Sequence, residues 1–359
     1  MPVSTTAPRY RAEDLTAFAR GLLEASGMPP DRTGDVADVL VEADLLGHDT
    51  HGLNLLPGYL KEIESGSMQT TGEPRTLSDR GAAITWDGER LPGPWLVLRA
   101  YELAAQRARL YGTGTVVIRR SHHVACLAAY LERAAAQGLV LLIYSSGPSS
   151  RTVAPFGGTT PVFTPNPLAA GFPAGERPVM LDVSTSITTN NLTARLVREG
   201  GRLGHPWLID AEGRPSDDPA VLFATPPGSI LPIGGLDHGH KGYALSLLVE
   251  ALTSGLGGHG RADPPEGWGA SVFVQVLDPE AFAGIGDFER QTSFVADACR
   301  ASRPRAGFDA VRLPGEAGLK KKADQLKRGV SISDAILDAH RTWAERLAVP
   351  MPRPQRRRL

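Results

Sequence analysis

Cysteine is almost absent from this chain of 359 residues, which carries only Cys126 and Cys299. Two thiols make neither a disulfide framework nor a zinc cluster. Net charge is nearly absent too: 38 Lys and Arg stand against 39 Asp and Glu. No overall field therefore draws the molecule to nucleic acid or anionic lipid. Long apolar runs are missing, since no stretch reaches the roughly 18 uninterrupted apolar residues of a membrane span. Met1 to Arg11 lacks the apolar region of a secretory signal, so the expectation is a cytoplasmic protein. The basic ending, Arg353 to Arg358, is short and follows prolines, which reads as a solvated tail. There are no internal repeats.

What is present is a globular balance, 42% hydrophobic and 21% charged, in a chain long enough for two or three domains. Helical spacing of Leu15, Phe18 and Leu22, then of Val36, Val39, Leu40 and Ala43, predicts helices over 12–26 and 35–46. Gly47 ends the second, a polar turn covers 48–52, and a short helix follows near 56–64. This all-helical beginning differs from the strand-first start of a standard dinucleotide-binding domain. Strands are predicted at 82–86, 115–118, 139–144, 179–183 and 271–277. Helices are predicted at 95–110, 123–136, 241–254, 318–327 and 333–348, and 198–236 reads mostly as loop. The 241–254 helix places Ala244, Leu247, Leu248 and Ala251 on one face. A strand, helix, strand unit points to a mixed α/β core.

One literal nucleotide fingerprint occurs, GLGGHG at 255–260. It lacks the strand before and the helix after that would bring a pyrophosphate to a helix N-terminus, so it reads as a helix end. Ser121-His122-His123 falls where a strand gives way to a predicted helix. Ligand sites gather there, and the partial positive charge of a helix start favours neutral imidazole. A Ser121 that merely caps the helix, with surface histidines, reads equally well from this segment alone. His48 and His51 sit three apart, but no third ligand has metal spacing; a proton donor or a carbonyl-orienting group fits better. Asp237 to Gly242 (DHGHKG) opens the 241 helix, and Lys241 there suits an anion seat.

Taken in order, GHDTHG (47–52), LPGY (56–59), SHHV (121–124), VAPFGG (153–158), Asn166-Pro167, Leu181-Asp182, Thr185-Ser186, HKGY (240–243) and LPGE (313–316) resemble the malate/L-lactate dehydrogenase family that lacks a Rossmann domain. The resemblance runs over about residues 12–348. It implies an α/β fold with a non-Rossmann mixed-sheet cofactor domain and helical N- and C-terminal segments packed together. The corresponding division is 1–75 with 311–359 as a helical domain and 76–310 as the mixed core. It also implies a homodimer, NAD or NADP as cofactor, and a small-molecule substrate. His123 matches the acid/base histidine, Asp182 the aspartate that orients it, and His51 a proton donor with Thr50 in place of the usual serine. Ser184, Thr185, Ser186, His240, Lys241, Gly242, Pro314, Gly315 and Glu316 match cofactor-contacting positions.

The departures carry information. Arginines that the family commonly places after the first histidine read Leu55 and Gly58. Arg120 stands where Asn is usual, TPNP (164–167) replaces Gly-Thr-Asn-Pro, a Gly-Lys pair reads Asn191-Leu192, and a frequent glycine is Ala125. The expected chemistry is hydride transfer at C2 of a 2-oxo or 2-hydroxy acid bulkier or less acidic than malate, with Arg120 taking over the substrate anion. A cyclic imine reductase, a degenerate ligand-binding member and a metal-dependent hydrolase using His48 and His51 stay open as alternatives.

Overall fold

The computed structural model describes residues 8–355; the run of arginines at the C-terminal end and most of the N-terminal segment read above lie outside the described residues. The first half runs β1 (Arg9–Tyr10), α1 (Ala12–Ala25), α2 (Pro30–Leu46), α3 (Leu56–Glu64), β2 (Arg75–Asp79), β3 (Ala83–Asp87), α4 (Gly93–Tyr111), β4 (Thr113–Ser121), α5 (Leu131–Ala135) and β5 (Val140–Ser146). Next come β6 (Leu168–Phe172), β7 (Val179–Val183), α6 (Asn190–Glu199), β8 (Leu208–Ile209), β9 (Pro215–Ser216), β10 (Ser229–Ile230) and α7 (Gly235–Glu250). The chain finishes with β11 (Ala270–Leu277), α8 (Ile285–Ala301), α9 (Glu316–Arg328), β12 (Val330–Ser331) and α10 (Asp334–Arg346).

The core is a mixed seven-stranded sheet in the order β2-β3-β4-β11-β5-β6-β7. Only β3 and β4 pair in parallel, and α4 is their crossover, which realises the strand, helix, strand unit expected from the sequence. The neighbours β4–β11, β11–β5, β5–β6 and β6–β7 are all antiparallel. In β11, Val272, Val274 and Val276 are wholly buried, as a continuous apolar strand at the centre of a covered sheet requires. Helix α4 lies on β4 and β11, and a π turn at Ala251–Gly255 packs against the same sheet.

The helical segments at the two ends of the chain pack together. Strand β1 pairs with β12, and Gln325 Nε2 donates to the carbonyls of Asp44 and Leu45 at 2.8 and 2.9 Å. Lys322 joins Glu42 and Glu132. In α1 the stripe Leu15, Phe18, Ala19, Leu22 and Leu23 is buried; each large side chain there contributes about 1.5–3 kcal/mol by leaving water. Among the described residues no helix is long and apolar enough to cross a membrane.

Three local expectations need correction. Helix α2 starts at Pro30 rather than near 35, with proline in the first turn where its missing N–H costs nothing. The Ala-rich segment 123–136 is not one helix: Ala125 has φ +57, and regular structure resumes only with a 3-10 turn at Leu127–Tyr130. Strands β2 and β6 and helices α6 and α8 add to the elements expected from the sequence. Helix α7 begins at Gly235, so His240, Lys241 and Gly242 lie beyond its first turn. The face that brings Ala244, Leu247 and Leu248 of α7 together with Ala251 just beyond it is exposed.

Candidate active site

One end of the sheet collects the C-terminal ends of β4, β5 and β7 with the N-terminal ends of β6 and β11. A cavity of about 650 Å³ opens there, roofed by the 48–55 turn and by the start of α6. That volume suits a cofactor or small-molecule site.

A bulge delivers the histidines. Between the pairs Ile118/Val272 and Ser121/Ala270, β4 has one residue more than β11. Arg120 occupies this bulge with φ +52, and such bulges re-aim the side chains that follow. The backbone of His122 and His123 then rests on Gly93, where a Cβ would stand 2.2 Å from the His123 carbonyl oxygen. Only glycine admits that approach.

His123 lines the cavity. Its Nδ1 accepts the Ala125 N–H at 3.3 Å and lies 3.0 Å from the Tyr59 hydroxyl. An Nδ1 that accepts from an amide leaves the proton of the neutral ring on Nε2. The Tyr59 hydroxyl has a second acceptor, the His123 carbonyl at 3.2 Å. It can therefore donate to Nδ1 of the neutral ring, or turn to that carbonyl and accept from Nδ1–H of a protonated ring. Burial, then His51 and His122, hold His123 well below the ordinary imidazole range.

His51 faces it across the cavity, ring centroids 6.1 Å apart and planes 27° from parallel. Its Nδ1 is 2.9 Å from Thr50 Oγ1. Burial, with help from His48 and against Asp49, lowers it to about 4. The turn that carries it is tied down by Leu53 N–H on Asp44 Oδ2 at 2.8 Å and by Asn191 Nδ2 on the Thr50 carbonyl at 3.3 Å.

Asp182 lines the cavity but does not orient His123 as expected. Its Oδ2 accepts from Ala128 N–H at 2.8 Å and from Cys126 Sγ at 3.7 Å, which caps the 127–130 turn. Burial raises this carboxyl above its usual range, against the pull of His48. The partner of the His123 ring is Tyr59. Arg120 is corrected as well. Its guanidinium sits on Asp87 at 3.2 Å and Glu266 at 3.0 Å, outside the cavity wall. Asp87 is buried with Arg119 also upon it, and this cluster, with the Glu89 amide, holds its carboxyl low against the cost of burial.

Of the expected cofactor contacts only Ser184 reaches the cavity. Thr185 and Ser186 are buried and bond to the Pro165 and Thr188 carbonyls. His240 packs edge-on to Phe156, Lys241 is exposed, and Gly242 is pressed against Ile233. Pro314 accepts the Met180 N–H, Gly315 packs on Met180, and Glu316 binds Arg300 at 2.8 Å. Sequence reasoning gave no role to Tyr59 or to Trp268, whose ring lies 4.8 Å from that of His123. The signal for Trp268 is a large aromatic between two glycines in a polar loop.

The wall fits a nicotinamide dinucleotide in chemistry. Ser145, Ser149 and Asn190 offer hydroxyl and amide groups, and Asn190 Oδ1 is buried with no hydrogen-bond partner among the described residues. Among the described lining residues there is no Lys or Arg, and no cluster of three metal-ligating side chains occurs among the described residues.

The sequence matches the family described as malate/L-lactate dehydrogenase over residues 10–339. It is 33% identical to an L-lactate dehydrogenase of Cupriavidus necator, covering 98% of this chain and 99% of that one. The fold superposes on the crystal structure of a malate dehydrogenase from Entamoeba histolytica with TM-score 0.91, 25% identity and coverage of 97% and 100%. A delta1-piperideine-2-carboxylate reductase from Pseudomonas syringae gives TM-score 0.81, 27% identity and coverage of 94% and 99%.

Proposed function

The chain belongs to the malate/L-lactate dehydrogenase family, and on that premise we propose that it moves a hydride between NAD(P)H and C2 of a small 2-oxo or 2-hydroxy acid, one bulkier or less acidic than malate. The observation that carries this reading is the pair of neutral, facing imidazoles of His51 and His123, 6.1 Å apart in a cavity whose described wall has no Lys or Arg.

The nicotinamide, when bound, supplies or takes the hydride; Asn190, Ser145 and Ser184 are the wall groups that would hold the dinucleotide. The proton is the protein's task. A 2-oxo acid brings a carboxylate into a cavity without a Lys or Arg among its described lining residues, and that charge favours protonation of a histidine beside it. His123, protonated, gives its Nε2 proton to the substrate oxygen, while Tyr59 accepts from Nδ1–H. His51, steadied by Thr50, holds the same oxygen from the opposite side. Asp182 bears on the cavity through its field rather than by gripping His123.

A second reading is favoured by the likeness to the piperideine-2-carboxylate reductase: a cyclic 2-imino acid, with the proton delivered to nitrogen. We further propose a homodimer closed over α7, where Leu247 and Leu248 are 47% and 45% exposed beside Leu236, Leu245 and Leu256; apolar surface of this kind marks an interface.

The test is oxidation of NADH and NADPH followed optically with a panel of 2-oxo acids and cyclic imines. Turnover of a 2-oxo acid supports the first reading, and turnover of imines alone supports the second. No turnover on the whole panel removes both.

A further inference from the structure

We propose that Trp268, seated against Gly58, sets the substrate preference, forming with Leu55 an apolar wall over the catalytic histidine that accepts 2-oxo acids with a bulky apolar end and disfavours those ending in a second carboxylate. This rests on the 2-oxo acid reading above and adds the residue that selects among such acids.

Trp268 stands between Gly267 and Gly269, and all three line the cavity. Its ring centroid is 4.8 Å from His123, 5.3 Å from His122 and 5.5 Å from Tyr59, tilted 32° to the His123 plane. It thus covers the imidazole that handles the proton. Its backbone is fixed from behind: Arg90 Nη2 donates to the Trp268 carbonyl at 3.2 Å, and Arg90 Nε to that of Ser67 at 2.7 Å.

The ring has this place because residue 58 has no side chain. A Cβ there would lie 3.2 Å from Cζ3 and 3.6 Å from Cη2 of Trp268. Anything longer than alanine would have to displace the indole. Leu55, buried and also on the wall, continues the apolar surface. The indole is 36% exposed, so one part of it faces open space while another faces the imidazole.

Charge points the same way. The described wall offers no Lys or Arg to a second carboxylate, and its own carboxylate is Asp182. A dicarboxylate would bury a second negative charge with no Lys or Arg on the described wall to meet it, which is costly. A flat apolar group would instead stack on the indole and leave water.

The experiment uses the full chain and two probes, phenylpyruvate and oxaloacetate, with Trp268→Ala, Trp268→Phe and Gly58→Leu. Wild type should favour phenylpyruvate in kcat/KM. Trp268→Ala should lower that preference by about tenfold or more, mostly through KM, the size expected for a lost hydrophobic contact. Trp268→Phe should keep most of it. Gly58→Leu should lose it by pushing the ring aside from its other face. NADH affinity, read by fluorescence titration, should stay within about twofold in the Trp268 variants, since the proposal concerns the substrate. Equal losses for both acids, or a fall in NADH affinity that accounts for the change, would overturn it.

Calorimetric titration of 3-phenyllactate and L-malate repeats the comparison without turnover. If neither acid is reduced, yet 3-phenyllactate binds more tightly and loses that advantage in Trp268→Ala, the wall stands and the hydride-transfer reading fails. If acids are reduced with no difference between the two classes, the wall fails and the reading stands. If neither acid is reduced or bound, both fail.

Discussion

The Tyr59 hydroxyl lies 3.0 Å from Nδ1 of His123 and 3.2 Å from the carbonyl of the same residue. One hydroxyl can thus serve the neutral ring as donor and the protonated ring as acceptor. Tyr59 is fully buried on α3, and burial raises its phenol above the usual range, so it stays un-ionised and its role is hydrogen bonding. Tyr59→Phe keeps the packing and removes this bond. We expect kcat for reduction to fall by roughly threefold to tenfold, the value of one hydrogen bond, with little change in KM. The alkaline limb of the kcat profile should move to lower pH, because the imidazolium loses its acceptor. An unchanged profile and rate would mean that the hydroxyl only packs.

Substrate binding should take up a proton. Burial lowers His51 to about 4 and holds His123 well below its ordinary range, so both are neutral at pH 7. An arriving carboxylate stabilises the charged form of whichever ring it meets. Binding of oxamate, an unreactive 2-oxo acid analogue, to the complex with reduced cofactor, measured at pH 7 in buffers of different ionisation enthalpy, should show uptake of about one proton. Uptake indistinguishable from zero would contradict the charge balance proposed for the site.

His122 gives a separate test, in stability. It is buried between Tyr59 and Trp268, 3.3 Å from Glu62, and burial followed by Arg90 lowers it to about 3. A depressed folded value means that its contribution is complete above the unfolded value of about 6.5 and is lost as pH falls towards 3. Asp44 acts oppositely: burial raises it to about 8, so its contribution is lost as pH rises from its unfolded value through that point. The readout is therefore a difference. The gap in melting temperature between wild type and His122→Gln should shrink or reverse between pH 7 and pH 4. A constant gap would show that His122 protonates alike in the folded and unfolded chains.

Much of the fold was legible because its signals are local. Helices α1 and α3 and strand β7 fall where periodicity and turn residues put them, and Gly47 ends α2 with φ +94 as a helix stop should. The ordered motifs likewise placed His51, His123, Asp182 and Ser184 near one another. What the sequence hid is decided by tertiary packing. The 123–136 segment has helical composition, but the close approach to Gly93 and the cap from Asp182 break it. Arg120 has the right address for an anion clamp, but Asp87 and Glu266, distant in sequence, claim its guanidinium. The apolar face of α7 shows in the sequence as a helical stripe, but a stripe cannot say whether its cover comes from the same chain.

That face yields a prediction of its own. Leu247→Glu with Leu248→Glu places two charges where Leu247 and Leu248 are already exposed, so the fold of one chain should tolerate them. If α7 closes a dimer, light scattering should show a dimer for wild type and a monomer for the double variant. A wild-type monomer at micromolar concentration would remove the dimer proposal.

The most direct test of the central claim is His123→Ala in the NAD(P)H oxidation assay, using the best 2-oxo acid or imine from the panel, with NADH binding followed by fluorescence in parallel. The account predicts a fall in kcat of about 10²-fold or more, the usual size of general acid help, with cofactor still bound. A variant that binds cofactor and turns over at the wild-type rate would contradict it, because the proton would then come from somewhere other than His123.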